Sequence, residues 1–278
     1  MLWKQLSAIK SRSEFRRLTG VKPGTFEKML FIIKTVKEQR RKHPNRGKAP
    51  KLSIEDQLLM MLMYHREYRT FLHIAADYGI SEAQCWRIVT DLEDILIQSQ
   101  AFCLPGKKAL TKATVKYSVV LVDVGESPVE RPKKKQRKYY SGKKKRHTHK
   151  IQLVVSREGR IICLRTDKGR KHDFRMFKES GVHVHREVCI ETDCAYQGIK
   201  KYHPNSILPY KHTRNKALTK EQKQHNHTLS ADRIQVEHTI RRLKIFRILS
   251  ERYRNRRKRF ALRVHLIAGI CNYQLYSF

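Results

Sequence analysis

Residues Ser118-Val-Val-Leu-Val122 form a short apolar, largely β-branched run that ends in an aspartate, Asp123. Such a run fits a strand buried on both faces, the kind found in sheets covered by helices. Gly125, Pro128 and Pro132 follow closely and are expected to stop the strand at Asp123. A carboxylate in that place is held by a rigid element yet opens on a cleft, which suits a metal ligand. The plainer alternative is an aspartate that caps the strand or starts a turn.

The pattern recurs further on. Val188 to Thr192 predicts a second short apolar strand, followed by Asp193-Cys-Ala-Tyr-Gln-Gly198. Between the two, Ile151 to Val155 and Ile161 to Arg165 flank the turn Ser156 to Arg160 and predict a hairpin. Asp173 opens a short helix, where an N-cap is the expected role. Residues Lys200 to Leu229 are polar, rich in His and Lys, and expected to be irregular. A third acid, Glu237, lies in the helical pattern Asp232 to Ser250. At about 100° per residue, Arg233, Glu237 and Lys244 fall within roughly 40° of one another. Val236, Ile240 and Leu243 form a neighbouring stripe that can dock on a sheet. A surface ladder of ion pairs is the plainer account of those charges.

Two strand-end aspartates and a helical glutamate thus stand in a region with 14 Asp or Glu from Ala101 onward. Their chemistry fits two-metal phosphoryl transfer. Phosphodiesters resist attack because they are anionic. Two Mg²⁺ ions about 3.5–4 Å apart activate the nucleophile and neutralise the leaving oxygen. Oxygen ligands suit Mg²⁺, and water and phosphate fill its remaining positions.

Charge points to the same class of substrate. Lys and Arg number 61 against 25 Asp and Glu, a net charge of +36. A surface so self-repelling calls for a polyanion. Membranes are excluded as that partner, because no helix pairs a clean apolar face with the basic one. No 18-residue apolar run and no basic-then-apolar leader occur, so neither a membrane span nor a signal peptide is expected. Six cysteines without a CxxC pair or framework spacing predict reduced, mostly buried thiols of an intracellular protein. The charge is densest from Arg131 to Lys150, with eleven Lys or Arg and no acid. Lys133, Lys134, Lys135, Arg137, Lys138, Lys143, Lys144, Lys145 and Arg146 are candidates for gripping a nucleic-acid backbone, helped by Tyr139 and Tyr140. A solvated loop or targeting patch is the alternative.

The N-terminal part is helical and basic. Pro23-Gly24 precedes a helix from Phe26 to Val36, and Gln39 to Lys51 has the composition of a linker. Ser53 is placed to cap a helix running to about Arg66, Phe71 to Asp77 gives a second, and Tyr78-Gly79-Ile80 a turn. Ser81 then caps a third from Glu82 to about Gln98. That order is a helix-turn-helix, which would point Glu82, Gln84, Trp86 and Arg87 at base edges and set Arg66 and Arg69 near phosphates. Any three-helix bundle shares the order; the basic charge favours DNA.

The residues around each acid also match a family. Asp123-Val-Gly-Glu-Ser-Pro-Val-Glu-Arg-Pro132, Asp193-Cys-Ala-Tyr-Gln-Gly198 and Arg233-x3-Glu237-x6-Lys244 resemble the DDE transposases of bacterial insertion sequences, of the insertion-sequence-five type. Tyr68-Arg-Thr-Phe-x-His-Ile-Ala and Tyr78-Gly-Ile-Ser resemble their helix-turn-helix. The resemblance implies an α/β, RNase H-like catalytic domain (mixed sheet with flanking helices) over 111–278. An all-α DNA-binding domain over 1–110 would precede it, with its helix-turn-helix at about 52–99. It further implies Asp123, Asp193 and Glu237 as catalytic, metal-binding residues, with Mg²⁺ as cofactor and Mn²⁺ able to substitute. Arg233 and Lys244 would contact phosphate. Double-stranded DNA, both transposon ends and target, would be the partner of a homodimer or higher assembly, in the bacterial cytoplasm on the nucleoid. Two departures stand out: Ser230 replaces a Tyr and Ala195 replaces a Gly of the family pattern. The first bears on a DNA-end contact, the second on local backbone shape. A zinc site from His147/His149, His183/His185 and His225/His227 is the weaker alternative, lacking CxxC or HExxH. A non-catalytic helix-turn-helix protein, a decayed transposase and a nuclease without strand transfer are the competing functions.

Overall fold

The computed structural model describes residues 11–40, 50–111, 117–212, 217–254 and 259–276. The chain folds as two compact units divided between Cys103 and Leu104. One is helical, built from α1 (Arg12–Thr19), α2 (Pro23–Arg40), α3 (Ile54–Glu67), α4 (Phe71–Asp77), α5 (Glu82–Gln98), α8 (Arg247–Ser250) and α9 (Phe260–Tyr276). The other holds the sheet with α6 (Asp173–Lys178) and all but the last residue of α7 (Lys220–Lys244). Most of the expected linker lies outside the described residues.

In the helical unit each of the three expected starts is capped by a side chain. Ser53 Oγ accepts the Asp56 amide at 3.1 Å, Thr70 the His73 amide at 3.2 Å and Ser81 the Gln84 amide at 3.2 Å. Gly79, at φ +62°, makes the turn between α4 and α5. Cys85, Val89, Leu92, Ile95 and Leu96 bury the inner face of α5. Helix α9 is apolar on nearly every side and buried, and it groups with these helices although its sequence position follows the sheet. Two features account for that. Gly269 lies so close to the backbone of Phe102 that a Cβ would overlap its carbonyl. Arg263, 2 % exposed, donates from Nε to the fully buried Glu93 at 2.7 Å.

The sheet of the second unit comprises β1 (Val119–Pro128), β2 (Tyr140–Ser141), β3 (Arg146–Ser156), β4 (Ile161–Lys168), β5 (Cys189–Thr192) and β6 (Ser206–Ile207). Its order is β2-β3-β1-β5-β6, with β4 paired to β3. β1 is antiparallel to β3 and parallel to β5. Such a mixed sheet with helices is the α/β architecture expected. Val120, Val122, Val154, Ile162, Ile190, Phe177 and Tyr196 form the core on one face.

Several sequence expectations need correction. β1 does not stop at Asp123; it continues to Pro128, because β3 pairs with it as far as Pro128↔Thr148 and satisfies its backbone. Proline is reached only at the strand's last residue. The stretch expected to be irregular turns helical at Lys220, and the helix expected to reach Ser250 breaks at Ile245-Phe246. Asp173 is not the N-cap of α6; His172 holds that position. Of the six cysteines, only Cys85, Cys163 and Cys271 are buried; all are free.

Candidate active site

Asp123 and Asp193 come together because of register. The parallel ladder of β1 and β5 ends at Val122↔Thr192, and the residue that follows each of these is an aspartate. Side chains alternate along a strand, which puts Leu121, Asp123 and Gly125 on the face opposite Val120 and Val122. That face carries α7. A Cβ on Gly125 would sit 3.4 Å from Ile240 Cγ2, a close approach that glycine eases. Asp123 Oδ1 accepts the Val124 amide at 2.7 Å, and Asp193 Oδ1 accepts the Ala195 amide at 3.0 Å.

From α7, the guanidinium of Arg233 approaches Asp123 Oδ2 at 3.6 Å. Its Nε is buried and meets no acceptor among the described residues. Burial pushes the Asp123 carboxyl up to about 6; the Val124 amide and Arg233 oppose this, while Asp193 and Asp173 add to it. A desolvated carboxylate facing a second one gains from a cation, and an all-oxygen donor pair suits a hard one.

Glu237 is exposed on α7, one turn beyond Arg233. Among the described residues, no three His, Cys, Asp or Glu side chains converge closely enough to hold a metal ion as they stand. Lys244 ends the same helix.

Side chains that sequence reasoning passed over hold this arrangement in place. Arg157 Nη2 bridges Glu191 Oε1 and Asp232 Oδ2, each at 3.1 Å, tying α7 to β5 just before Arg233. Arg242 Nη2 donates to the Gly159 carbonyl at 2.5 Å, so the β3–β4 turn grips the same helix further along. Gly159 is at φ +79°, and a Cβ there would press on Gln235. Beneath Asp123, Gln152 Nε2 donates to the buried Tyr196 hydroxyl at 3.1 Å. Burial first, then Asp173, Asp123 and Asp193, keep that phenol protonated, well above its ordinary range. The glycine in a hairpin turn was the one legible signal for this group; the partners of the arginines were not.

The basic block is a built part of the sheet edge. Every cation from Arg131 to Arg146 is exposed. Below them, Ser141 Oγ and Thr148 Oγ1 donate to the two oxygens of Glu126 at 3.1 and 2.8 Å, fastening the loop to β1. Lys150, counted with the block, is instead buried and donates to Asp173 Oδ1 at 2.6 Å. In the helical unit Glu82, Gln84, Trp86 and Arg87 are all exposed on α5. The arginines expected near phosphates are committed elsewhere: Arg66 Nη1 donates to the Ile245 carbonyl at 2.5 Å, and Arg69 pairs with Asp77. Among the described residues no helix is long and apolar enough to cross a membrane.

Residues 122–272, more than half of the chain, match the family of DDE superfamily endonucleases, and residues 50–101 match the helix-turn-helix of DDE superfamily endonucleases. The chain is 51 % identical over 273 residues to a probable transposase for insertion sequence element IS702 from Microchaete diplosiphon. That alignment covers 98 % of this chain and 96 % of the relative. It is 24 % identical over 238 residues to a putative transposase for insertion sequence element IS112 from Streptomyces albus G, covering 84 % of each. No solved structure matches.

Proposed function

The chain belongs to the DDE superfamily endonucleases of insertion sequences, and on that premise we propose that it binds the terminal inverted repeats of its own element, cuts at the ends and joins the freed 3′-OH to target DNA. The observation that carries this reading is the pairing of Asp123 and Asp193 at the end of the parallel ladder, with Arg233 beside them. Divalent metal goes with the family in general, and Mg²⁺ is our assignment, with Mn²⁺ able to substitute. Asp123 and Asp193 would hold it. Glu237 is the third ligand on this reading, because it shares a helix stripe with Arg233, whose guanidinium reaches toward Asp123. Bound there, a metal would supply activation of the nucleophile and neutralisation of the leaving oxygen. Arg233, with an unused buried N–H, and Lys244 would take the phosphate oxygens.

The helical unit supplies recognition on this reading. Glu82, Gln84, Trp86 and Arg87 come early on a capped, exposed helix, where base edges are met in the major groove. A transposase must treat two ends alike, so we assign a homodimer or larger assembly on DNA, acting on the nucleoid in the cytoplasm. The test is incubation of the full chain with Mg²⁺, end DNA carrying the flanking inverted repeats, and a target plasmid. Joined products are expected. Cleavage without joining would reduce the protein to a nuclease, and binding alone to a helix-turn-helix DNA-binding protein.

The basic block offers a second measurement. Replacing Lys133, Lys134, Lys135, Lys143, Lys144 and Lys145 by Gln should weaken binding to every DNA sequence alike. Every phosphate no longer neutralised should flatten the slope of log K against log salt by about 0.9. An unaltered slope would show that these lysines are merely solvated.

A further inference from the structure

Tyr196, three residues after Asp193, has an aromatic neighbour that the chemistry above does not use. Phe174 follows Asp173 on α6 and packs half-buried on the core. Its ring centroid lies 6.2 Å from that of Tyr196, the phenol beneath the aspartates. On its other side it meets Tyr202 edge-on, at 5.5 Å and 83°. A row of rings therefore leads from Tyr196, whose backbone amide donates to the Asp193 carbonyl at 3.2 Å, to the surface. Tyr202 ends it with 61 % of its surface exposed. Lys178 holds the outer two rings in place, with its ammonium 5.0 Å from the centre of Phe174 and 5.5 Å from that of Tyr202. Lys200 and Lys201, also exposed, immediately precede Tyr202.

A large aromatic so exposed costs hydration without contributing to the core, and here it is fixed rather than loose. Rings presented at the surface among cations are the means by which proteins hold nucleic-acid bases that have left the duplex: the ring stacks the base, and lysines take the flanking phosphates. A fully paired duplex offers no free base face to such a ring. We propose that Tyr202, braced by Phe174 and Lys178, is a stacking shelf for an unpaired base of the DNA strand lying at the Asp123–Asp193 site. The shelf would favour DNA whose strands are already separated near the cut. This rests on the proposed reaction on DNA.

The test uses the full chain and two fluorescent oligonucleotides, a blunt duplex and the same duplex with a short single-stranded overhang carrying 2-aminopurine. The wild-type chain should bind the overhang form more tightly and quench the 2-aminopurine. Tyr202→Ala should weaken binding of the overhang form about tenfold, within the range of one base–aromatic stack. It should abolish the quenching and leave binding of the blunt duplex unchanged. Tyr202→Phe, which keeps the ring, should behave as wild type. Since the side chain is mostly exposed, thermal midpoints should coincide for all three. The shelf is refuted if Tyr202→Ala binds blunt duplex normally and keeps both preference and quenching. It is also refuted if that variant changes only self-association, which would make Tyr202 a protein contact. Failure of the wild-type chain to bind either DNA would instead overturn the reaction on which the shelf depends.

Discussion

Asp123→Ala is expected to remove DNA cleavage while leaving the binding of end DNA nearly intact. Metal at a phosphoryl-transfer site contributes several kcal/mol to transition-state stabilisation, so losing a ligand should slow cleavage by at least about 10³-fold. On the proposed reading, affinity for DNA would rest on many dispersed phosphate contacts and should barely move. Stability should not fall either. The Asp123 side chain is largely desolvated and its carboxyl is held above the ordinary range by burial, so alanine removes an unfavourable buried charge. Single-turnover cleavage, mobility shift and a thermal melt on one preparation would separate these effects. Cleavage by the variant in Mg²⁺ at a rate within tenfold of wild type would remove Asp123 from the site.

The second large effect concerns the helical unit. Glu93 is fully buried on α5, where it accepts from His65 Nε2 at 2.8 Å, Arg263 Nε at 2.7 Å and Arg259 Nε at 2.8 Å. It ties α5 to α3 and to the C-terminal part of the chain. Glu93→Ala would strand the Arg263 guanidinium, 2 % exposed, without its carboxylate. Breaking a buried pair in this way costs about 3–5 kcal/mol, a large part of a typical domain's stability of roughly 5–15 kcal/mol. Burial alone would raise the Glu93 carboxyl, but the His65 hydrogen bond and the Arg263 charge lower it to about 2. A folded value below the unfolded one, about 4.3, means that the stabilisation is fully present above that pH. It is lost as pH falls toward 2. The gap between wild type and Glu93→Ala in urea midpoint should therefore be wide at pH 7 and narrow at pH 3. A difference below about 1 kcal/mol at pH 7 would show that the cluster is dispensable.

How much of this was legible beforehand differs by element. Ser53 and Ser81, each followed by a periodic apolar pattern, announced their helices, because a cap is a local matter between one side chain and an amide three residues on. The apolar runs leading into Asp123 and Asp193 were legible as strands for the same reason: an apolar run needs no knowledge of its partner. The reach of β1 to Pro128 was not, since its last residues owe their extended form to β3 rather than to their own preferences. Nor was the helical start of α7 at Lys220 within a polar stretch.

The chemistry divides along the same line. Residue types, order and flanking motifs marked Asp123, Asp193 and Glu237 as candidates before any fold was known. That two of them adjoin depended on the register of β1 against β5, which only long-range pairing sets. Tertiary structure also decided the fate of individual charges. Arg66, Arg69 and Lys150 looked like further phosphate ligands, yet each has a protein acceptor. The cations from Arg131 to Arg146 stay free to face solvent. A sequence counts charges but does not say which carboxylate or carbonyl the folded chain will bring within about 3 Å of each. A desolvated cation must find such a partner, and a solvated one need not. That difference, set by burial, separates the structural arginines and lysines of this protein from those left facing solvent.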